Sequence, residues 1–202
     1  MEKKQHWENV YETKSPNEVS WTQENPGISL DLIRQTNLPK SAKIIDIGAG
    51  DSNLVDWLLK EGYSNLSVLD ISSKAIEKAK NRLGEFAENV KWIVSDINDF
   101  QPEESYDLWH DRAAFHFLTD QKEIENYRSL TSNYISNSLI IGTFSKLGPK
   151  KCSGLNIVQY DERDLNLIFN ENFSLFNSIS SDHITPFSTI QNFQFCSFKK
   201  IN

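Results

Sequence analysis

Three acids stand where they could hold a nucleoside, and two more groups stand where they could meet its reaction partner. Asp46 opens the run Asp46-Ile47-Gly48-Ala49-Gly50, Asp70 lies 20 residues beyond Gly50, and Asp96 sits in Ser95-Asp96-Ile97. Glycine at 48 and 50 permits a sharp turn and a close backbone approach to a ligand. The dinucleotide fingerprint G-x-G-x-x-G fails at its third glycine, where Asn53 stands. A carboxylate at Asp46 repels a pyrophosphate and attracts an ammonium group. The expected ligand is therefore a nucleoside with a cationic amino-acid end. Asp70, followed by Ile71, is placed to accept hydrogen bonds from both ribose hydroxyls. Asp96 can take the exocyclic amine of adenine while Ile97 packs on the ring.

On the reaction side, His110 and Asp111 are the candidate general bases, and His110 also borders the ligand. Arg112 and Asp111 read as an ordinary ion pair. His116, inside Phe115-His116-Phe117, reads as packing, and no spacing pairs these groups as metal ligands. Cys152 reads as a small polarizable wall residue and Cys196 as core. Each feature also has a plainer meaning. Gly48 and Gly50 could be only a turn, Asp70 a surface acid or helix cap, and Asp96 a turn cap with Asn98 and Asp99.

The elements that must position these groups are short β-branched runs separated by helical periods. Strands are expected at 43–47, 66–70, 90–94, 106–110 and 138–144, each followed by a helix. Gly62 closes the helix after the first strand, Ser72 caps the helix after the second, and Asp120 with Glu123 forms a capping-box-like start to another. Pro39 is expected to end a helix that begins near residue 28. Two last strands, 173–180 and 192–200, follow without an intervening helix and are most simply antiparallel. The fold class is α/β: one Rossmann-like doubly wound sheet of about seven strands, mostly parallel, with a reversed last strand and helices on both faces. Residues 1–40 form a leading lid or helical segment, and residues 41–202 form the core of a single domain.

Asp46-x-Gly48-x-Gly50, Asp70, Ser95-Asp96-Ile97 and Tyr106-Asp-Leu-Trp-His110, in this order, resemble the class I S-adenosylmethionine-dependent methyltransferases. The resemblance covers roughly residues 40–200. It implies that Gly48, Ala49 and Gly50 approach S-adenosylmethionine, that Asp46 lies near its amino group, and that Asp70 binds ribose. It implies that Asp96 and Ile97 bind adenine and that residues from His110 onward border the methionine end and the acceptor. The opening His6-Trp-Glu-Asn-Val-Tyr11 with Glu18-Val-Ser-Trp21 is similar to that of a subset of small methyltransferases, protein-lysine enzymes among them, in which the leading segment folds over the cofactor. Tyr11 and Trp21 are then expected to close the pocket. An Asn-Pro-Pro-Tyr type fourth motif is absent, which argues against adenine-N6 and amide acceptors.

The chain has 202 residues, with 12 Phe, 6 Tyr and 5 Trp to build a core and a net charge of -7. That charge disfavours nucleic acid as a partner and tilts the expectation toward small or basic acceptors. Lys146 to Lys151 reads as a solvated loop or a contact for an acidic acceptor. The polar start and the lack of a long apolar run point to a cytoplasmic protein without a membrane anchor, a monomer or weak dimer. Segments 1–26, 110–119, 145–160 and 181–190 are expected to wall the acceptor site. The expected function is methyl transfer, by in-line displacement, to a small molecule or a protein side chain, leaving S-adenosylhomocysteine. A nicotinamide-dependent oxidoreductase on a similar sheet and a non-catalytic cofactor-binding scaffold are the alternatives.

Overall fold

The computed structural model describes residues 2–201. Its frame is a seven-stranded sheet in the order β3-β2-β1-β4-β5-β9-β8. The strands are β1 (Lys43–Ile47), β2 (Asn65–Asp70), β3 (Val90–Val94), β4 (Tyr106–Arg112), β5 (Ile135–Phe144), β8 (Phe173–Ile184) and β9 (Ile190–Lys200). A separate two-stranded hairpin is formed by β6 (Lys151–Cys152) and β7 (Leu155–Asn156). Neighbouring pairs among β1 to β5 are parallel, whereas β9 runs antiparallel to both β5 and β8.

The strands alternate between two cores. Ile44, Leu108 and Ile140 face α2 (Gly27–Gln35) and α3 (Leu54–Lys60). Ile45, Trp109 and Ile141 face α5 (Gln121–Tyr134) and α6 (Glu162–Phe169). Both faces of the inner strands are covered, so their sequences read as continuous apolar runs rather than alternating ones. α4 (Ser73–Leu83) adds Ile76 and Leu83 to the first core. α1 (Glu2–Thr13) lies across the carboxyl end of the sheet. Its Glu8 accepts hydrogen bonds from Ser72 Oγ at 2.7 Å, from Ser73 N–H at 2.9 Å and from Lys74 N–H at 3.0 Å. A carboxylate at the start of α4 satisfies N–H groups that have no partner within the helix.

Several expectations need correction. The connection between β3 and β4, residues 95–105, holds turns and no helix. It is short and interrupted by Pro102. α2 ends at Gln35, before Pro39, because Asn37 adopts a left-handed φ of 56° just past the Thr36 cap. Asp120 caps α5, but Glu123 completes no capping box; its Oε1 lies 2.8 Å from Lys3 Nζ, tying α5 to α1. β8 continues past residue 180, so the connector expected over 181–191 shrinks to a five-residue turn at 185–189. Thr185 closes it, with its N–H donating to the Thr189 carbonyl at 2.9 Å. Ser, Asn and Asp along β8 mark it as the sheet edge, where polar side chains discourage pairing with another chain. Among the described residues no helix is long and apolar enough to cross a membrane.

Candidate active site

Sheet order reverses between β1 and β4, and a cavity of about 220 Å³ opens there at the carboxyl ends of the strands. The turn after β1 gives it a floor. Gly48 and Gly50 both hold φ near +60°, a conformation that strains other residues. A Cβ on Gly48 would collide with the Ala114 side chain, and one on Gly50 with the Tyr11 hydroxyl. The turn also uses its own backbone donors. Gly50 N–H donates to Asp70 Oδ2 at 2.7 Å, Ala49 N–H to the Leu69 carbonyl at 3.3 Å and Ser52 N–H to the Ala49 carbonyl at 2.9 Å. Three N–H groups of the turn are thus spent inside the protein.

Asp70, 4% exposed, stands at the end of β2. Its other oxygen accepts from Ser72 N–H at 2.8 Å. Burial raises this carboxyl to about 6 against the opposing effect of those two hydrogen bonds, with Asp46 and Asp51 adding to the rise. Asp96 accepts from Asn98 N–H at 2.9 Å and, with Ile97 and Ile71, forms the β2–β3 side of the cavity. Tyr11 and Trp21 cover it, with ring centroids 6.4 Å apart, and Trp7 packs edge-on to Trp21 at 5.6 Å. Burial, then Asp70 and Asp51, push the Tyr11 phenol well above its ordinary range, so it stays protonated.

Asp46 and His110 are register partners on β1 and β4 and point to the same face. His110 Nδ1 lies 2.7 Å from Asp46 Oδ1, and Nε2 lies 2.9 Å from the Ser29 hydroxyl on α2. The carboxylate can only accept, so Nδ1 donates. Both ring nitrogens are engaged, one with Asp46 and the other with Ser29. The next residue, Asp111, turns to the opposite face because side chains alternate along a strand. Fully buried there, it accepts from Ala114 N–H and Phe115 N–H, both at 3.0 Å, and from the Tyr127 hydroxyl at 2.7 Å. Burial raises its carboxyl to about 6. Asp111 therefore does not line the cavity, and the expected ion pair with Arg112 does not form.

Arg112 returns to the cavity face. Its Nη1 donates to the Trp21 carbonyl at 3.0 Å. Asp46, Gly48, Ala49, Asp70, Ile71, Asp96, Ile97 and His110 line one cavity with Tyr11 and Trp21; Gly50 shapes it from behind. Of the four segments expected to wall the acceptor end, 1–26 and 110–119 contribute most. Residues 145–160 contribute Cys152, whose thiol burial pushes up to about 12, which makes it a poor nucleophile. Residues 181–190 do not reach the cavity; His183 instead hydrogen-bonds the Ser20 carbonyl at 2.7 Å. Lys146 pairs with Asp164 at 2.6 Å and is occupied locally. His116 is buried, with Nδ1 accepting from Phe144 N–H, as packing requires. Among the described residues no His, Cys, Asp or Glu group could hold a metal. Ser29 carried no sequence signal, because only the packing of α2 brings it to His110; Glu8 lies within the opening segment 6–11, but nothing there told that it would meet the start of α4.

The sheet order, the glycine turn and the acids at successive strand ends define a class, and a family model agrees. Residues 44–132 match the model described as a methyltransferase domain. That stretch, a little under half of the chain, is what is similar to a methyltransferase domain. It is 28% identical over 167 residues to malonyl-[acyl-carrier protein] O-methyltransferase 1 of Ilyobacter polytropus, across 76% of this chain and 61% of that protein. It is 29% identical over 107 residues to trans-aconitate 2-methyltransferase of Rhizobium leguminosarum, across 52% of this chain and 40% of that protein. The chain thus spans less than two thirds of either relative. Among solved structures it is similar to the N-methyltransferase NodS of Bradyrhizobium japonicum in complex with S-adenosyl-l-homocysteine, with a TM-score of 0.74, 16% identity and 98% and 100% of the two chains covered.

Proposed function

We propose that this protein transfers the methyl group of S-adenosylmethionine to a small-molecule acceptor. The observation that carries the reading is the charge of the cavity lining. Asp46, Asp51, Asp70 and Asp96 line it, while Lys3 and Arg82 on its rim are paired with Glu123 and Asp56 at 2.8 Å each. Arg112, the one lining cation without a carboxylate partner among the described residues, stands on the β4–β5 side, away from Asp70 and Asp96; around the glycine turn the acids oppose a pyrophosphate and suit a ligand bearing a sulfonium and an ammonium. That disfavours the nicotinamide alternative.

When bound, the cofactor supplies an activated methyl carbon: the acceptor's lone pair forms the new bond as the carbon–sulfur bond breaks and its electron pair stays on sulfur. The chain's contribution is alignment and exclusion of water. Asp46, steadied by His110, faces the ammonium end. Asp70 receives the ribose hydroxyls, and Asp96 with Ile97 receives adenine. Tyr11, Trp21 and Trp7 keep water from the sulfur. The cavity beneath this aromatic cover favours a small acceptor over an exposed protein side chain. The relatives named for malonyl-[acyl-carrier protein] and trans-aconitate support that choice.

Calorimetry with S-adenosylhomocysteine and with NAD tests the reading. Binding of the first and not the second is expected. Binding of NAD alone would sink the proposal, and cofactor binding without turnover on a broad acceptor panel would favour the scaffold reading.

A further inference from the structure

We propose that Arg112 recognises a carboxylate on the methyl acceptor, gripping it with Nε and Nη2. This rests on the methyltransferase reading of the same cavity and names the substrate class.

Arg112 follows His110 by two residues on β4, so both project to the face that carries Asp46. It lies on the β4–β5 side of the switch point, in register with Gly142 of β5, whereas Asp70 and Asp96 lie on the β2–β3 side. The adenosine acids and Arg112 thus stand at opposite ends of the cavity, with Asp46 and His110 between them. A Cβ at Gly142 would meet the Phe195 ring, which occupies the space beside the arginine, and the guanidinium carbon sits 4.8 Å from the Phe193 ring centroid. Aromatic rings and the Trp21 carbonyl fix the plane of the group.

Of the three cations on this cavity, Lys3 and Arg82 have carboxylate partners, and Arg112 has none among the described residues. Its Nε and Nη2 are buried without any hydrogen-bond partner, as is Trp21 Nε1 beside it. Burial lowers the guanidinium to about 10, which leaves it charged at neutral pH. Asp46 attracts the half-buried guanidinium only from a distance, so these two buried N–H donors stay unmatched, and such donors call for an acceptor. Nε and Nη2 form the side-on fork of arginine, the pair that binds a carboxylate through two parallel N–H···O bonds. The net charge of -7 suggested a small or basic acceptor; this end of the pocket is locally the reverse.

The test titrates the full chain, saturated with S-adenosylhomocysteine, with acetate, succinate, glutarate and adipate and with the corresponding uncharged amides. At least one acid is expected to bind about tenfold or more tightly than its amide. Arg112→Gln should weaken that acid about tenfold or more, a larger factor than any loss of S-adenosylhomocysteine affinity that comes from releasing the Trp21 carbonyl. Arg112→Lys, a point charge without the fork, should recover only part of the loss; it also serves if the glutamine variant does not fold. Absence of acid binding, equal binding of acid and amide, or unchanged acid affinity in the variants would overturn the proposal. So would a loss of S-adenosylhomocysteine affinity as large as the loss of acid affinity in both variants, which would assign Arg112 to the cofactor's side of the cavity. Failure of the wild-type chain to bind S-adenosylhomocysteine would instead remove the methyltransferase reading itself.

Discussion

His110 and Asp46 are joined across neighbouring strands, Nδ1 to Oδ1 at 2.7 Å, in a contact almost closed to solvent. Ser29 closes the other side of the imidazole. His110→Leu leaves a buried carboxylate and a buried hydroxyl without partners, a loss of about 1–3 kcal/mol for each unsatisfied group. Denaturant melts should show that loss. His110→Asn keeps a donor toward Asp46 and is expected to retain most of the S-adenosylhomocysteine affinity. If His110 were instead the general base, the asparagine variant would lose turnover while keeping full cofactor affinity, and its pH–rate profile would change shape.

Asp70→Ala should weaken S-adenosylhomocysteine binding by roughly 1–3 kcal/mol, the range for lost charged hydrogen bonds. The wild-type carboxyl lies at about 6 in the ligand-free protein. Ribose hydroxyls favour its ionised form, so binding releases a proton when the pH lies below that value. Affinity is therefore expected to rise from pH 5 to pH 7 and then level off. Asp70→Asn should flatten this rise. A calorimetric series in buffers of different ionisation enthalpy checks both statements.

Asp111 gives a stability effect of opposite use. Its folded carboxyl, at about 6, lies above the ordinary value of 3.8. A raised folded value adds stability that is complete below the unfolded value and is lost as pH climbs through about 6. Asp111→Asn lacks this titration. Its destabilisation relative to wild type should thus be larger at pH 4 than at pH 7, as urea melts at the two pH values would reveal.

Gly50 and Gly62 both hold positive φ, +59° and +86°, but only Gly50 is crowded. Gly62→Ala meets backbone strain alone, about 1–2 kcal/mol. Gly50→Ala meets the same strain and also displaces the Tyr11 hydroxyl. The difference between the two variants in melting experiments isolates the crowding. The Gly50 variant alone should lose cofactor affinity.

Much of this was legible in the residues. The runs Lys43–Ile47 and Val90–Val94 are strands as written: the first is an inner strand buried from Ile44 to Ile47, and the second is an edge strand that its Val, Trp and Ile residues still mark as extended. The acids of the site were legible because they terminate those runs. The orientation of Asp111 was available too: one step beyond His110 along a strand means the other face, and two steps, to Arg112, means a return. Ser29 was beyond reach, since a serine on a helix says nothing of the histidine it will meet. β8 was cut short because an edge strand rich in Ser and Asn looks like a loop. The β6–β7 hairpin hid behind two-residue strands, although Ser153-Gly154, both at positive φ, is a turn signature.

Glu8, Ser72 and Asp70 make a chain of hydrogen bonds from α1, through the start of α4, into the ligand seat. Burial alone would raise the Glu8 carboxyl, but the donors from Lys74, Ser72 and Ser73 outweigh it and bring it down to about 2, so the link persists at any physiological pH. The cover and the seat are therefore expected to open and close as one cooperative unit rather than as a flap over a rigid bowl. Amide exchange in α1 and in the turn at 48–50 should slow together on ligand binding, and Glu8→Ala should speed both. Release of product would be timed by the unravelling of a twelve-residue helix.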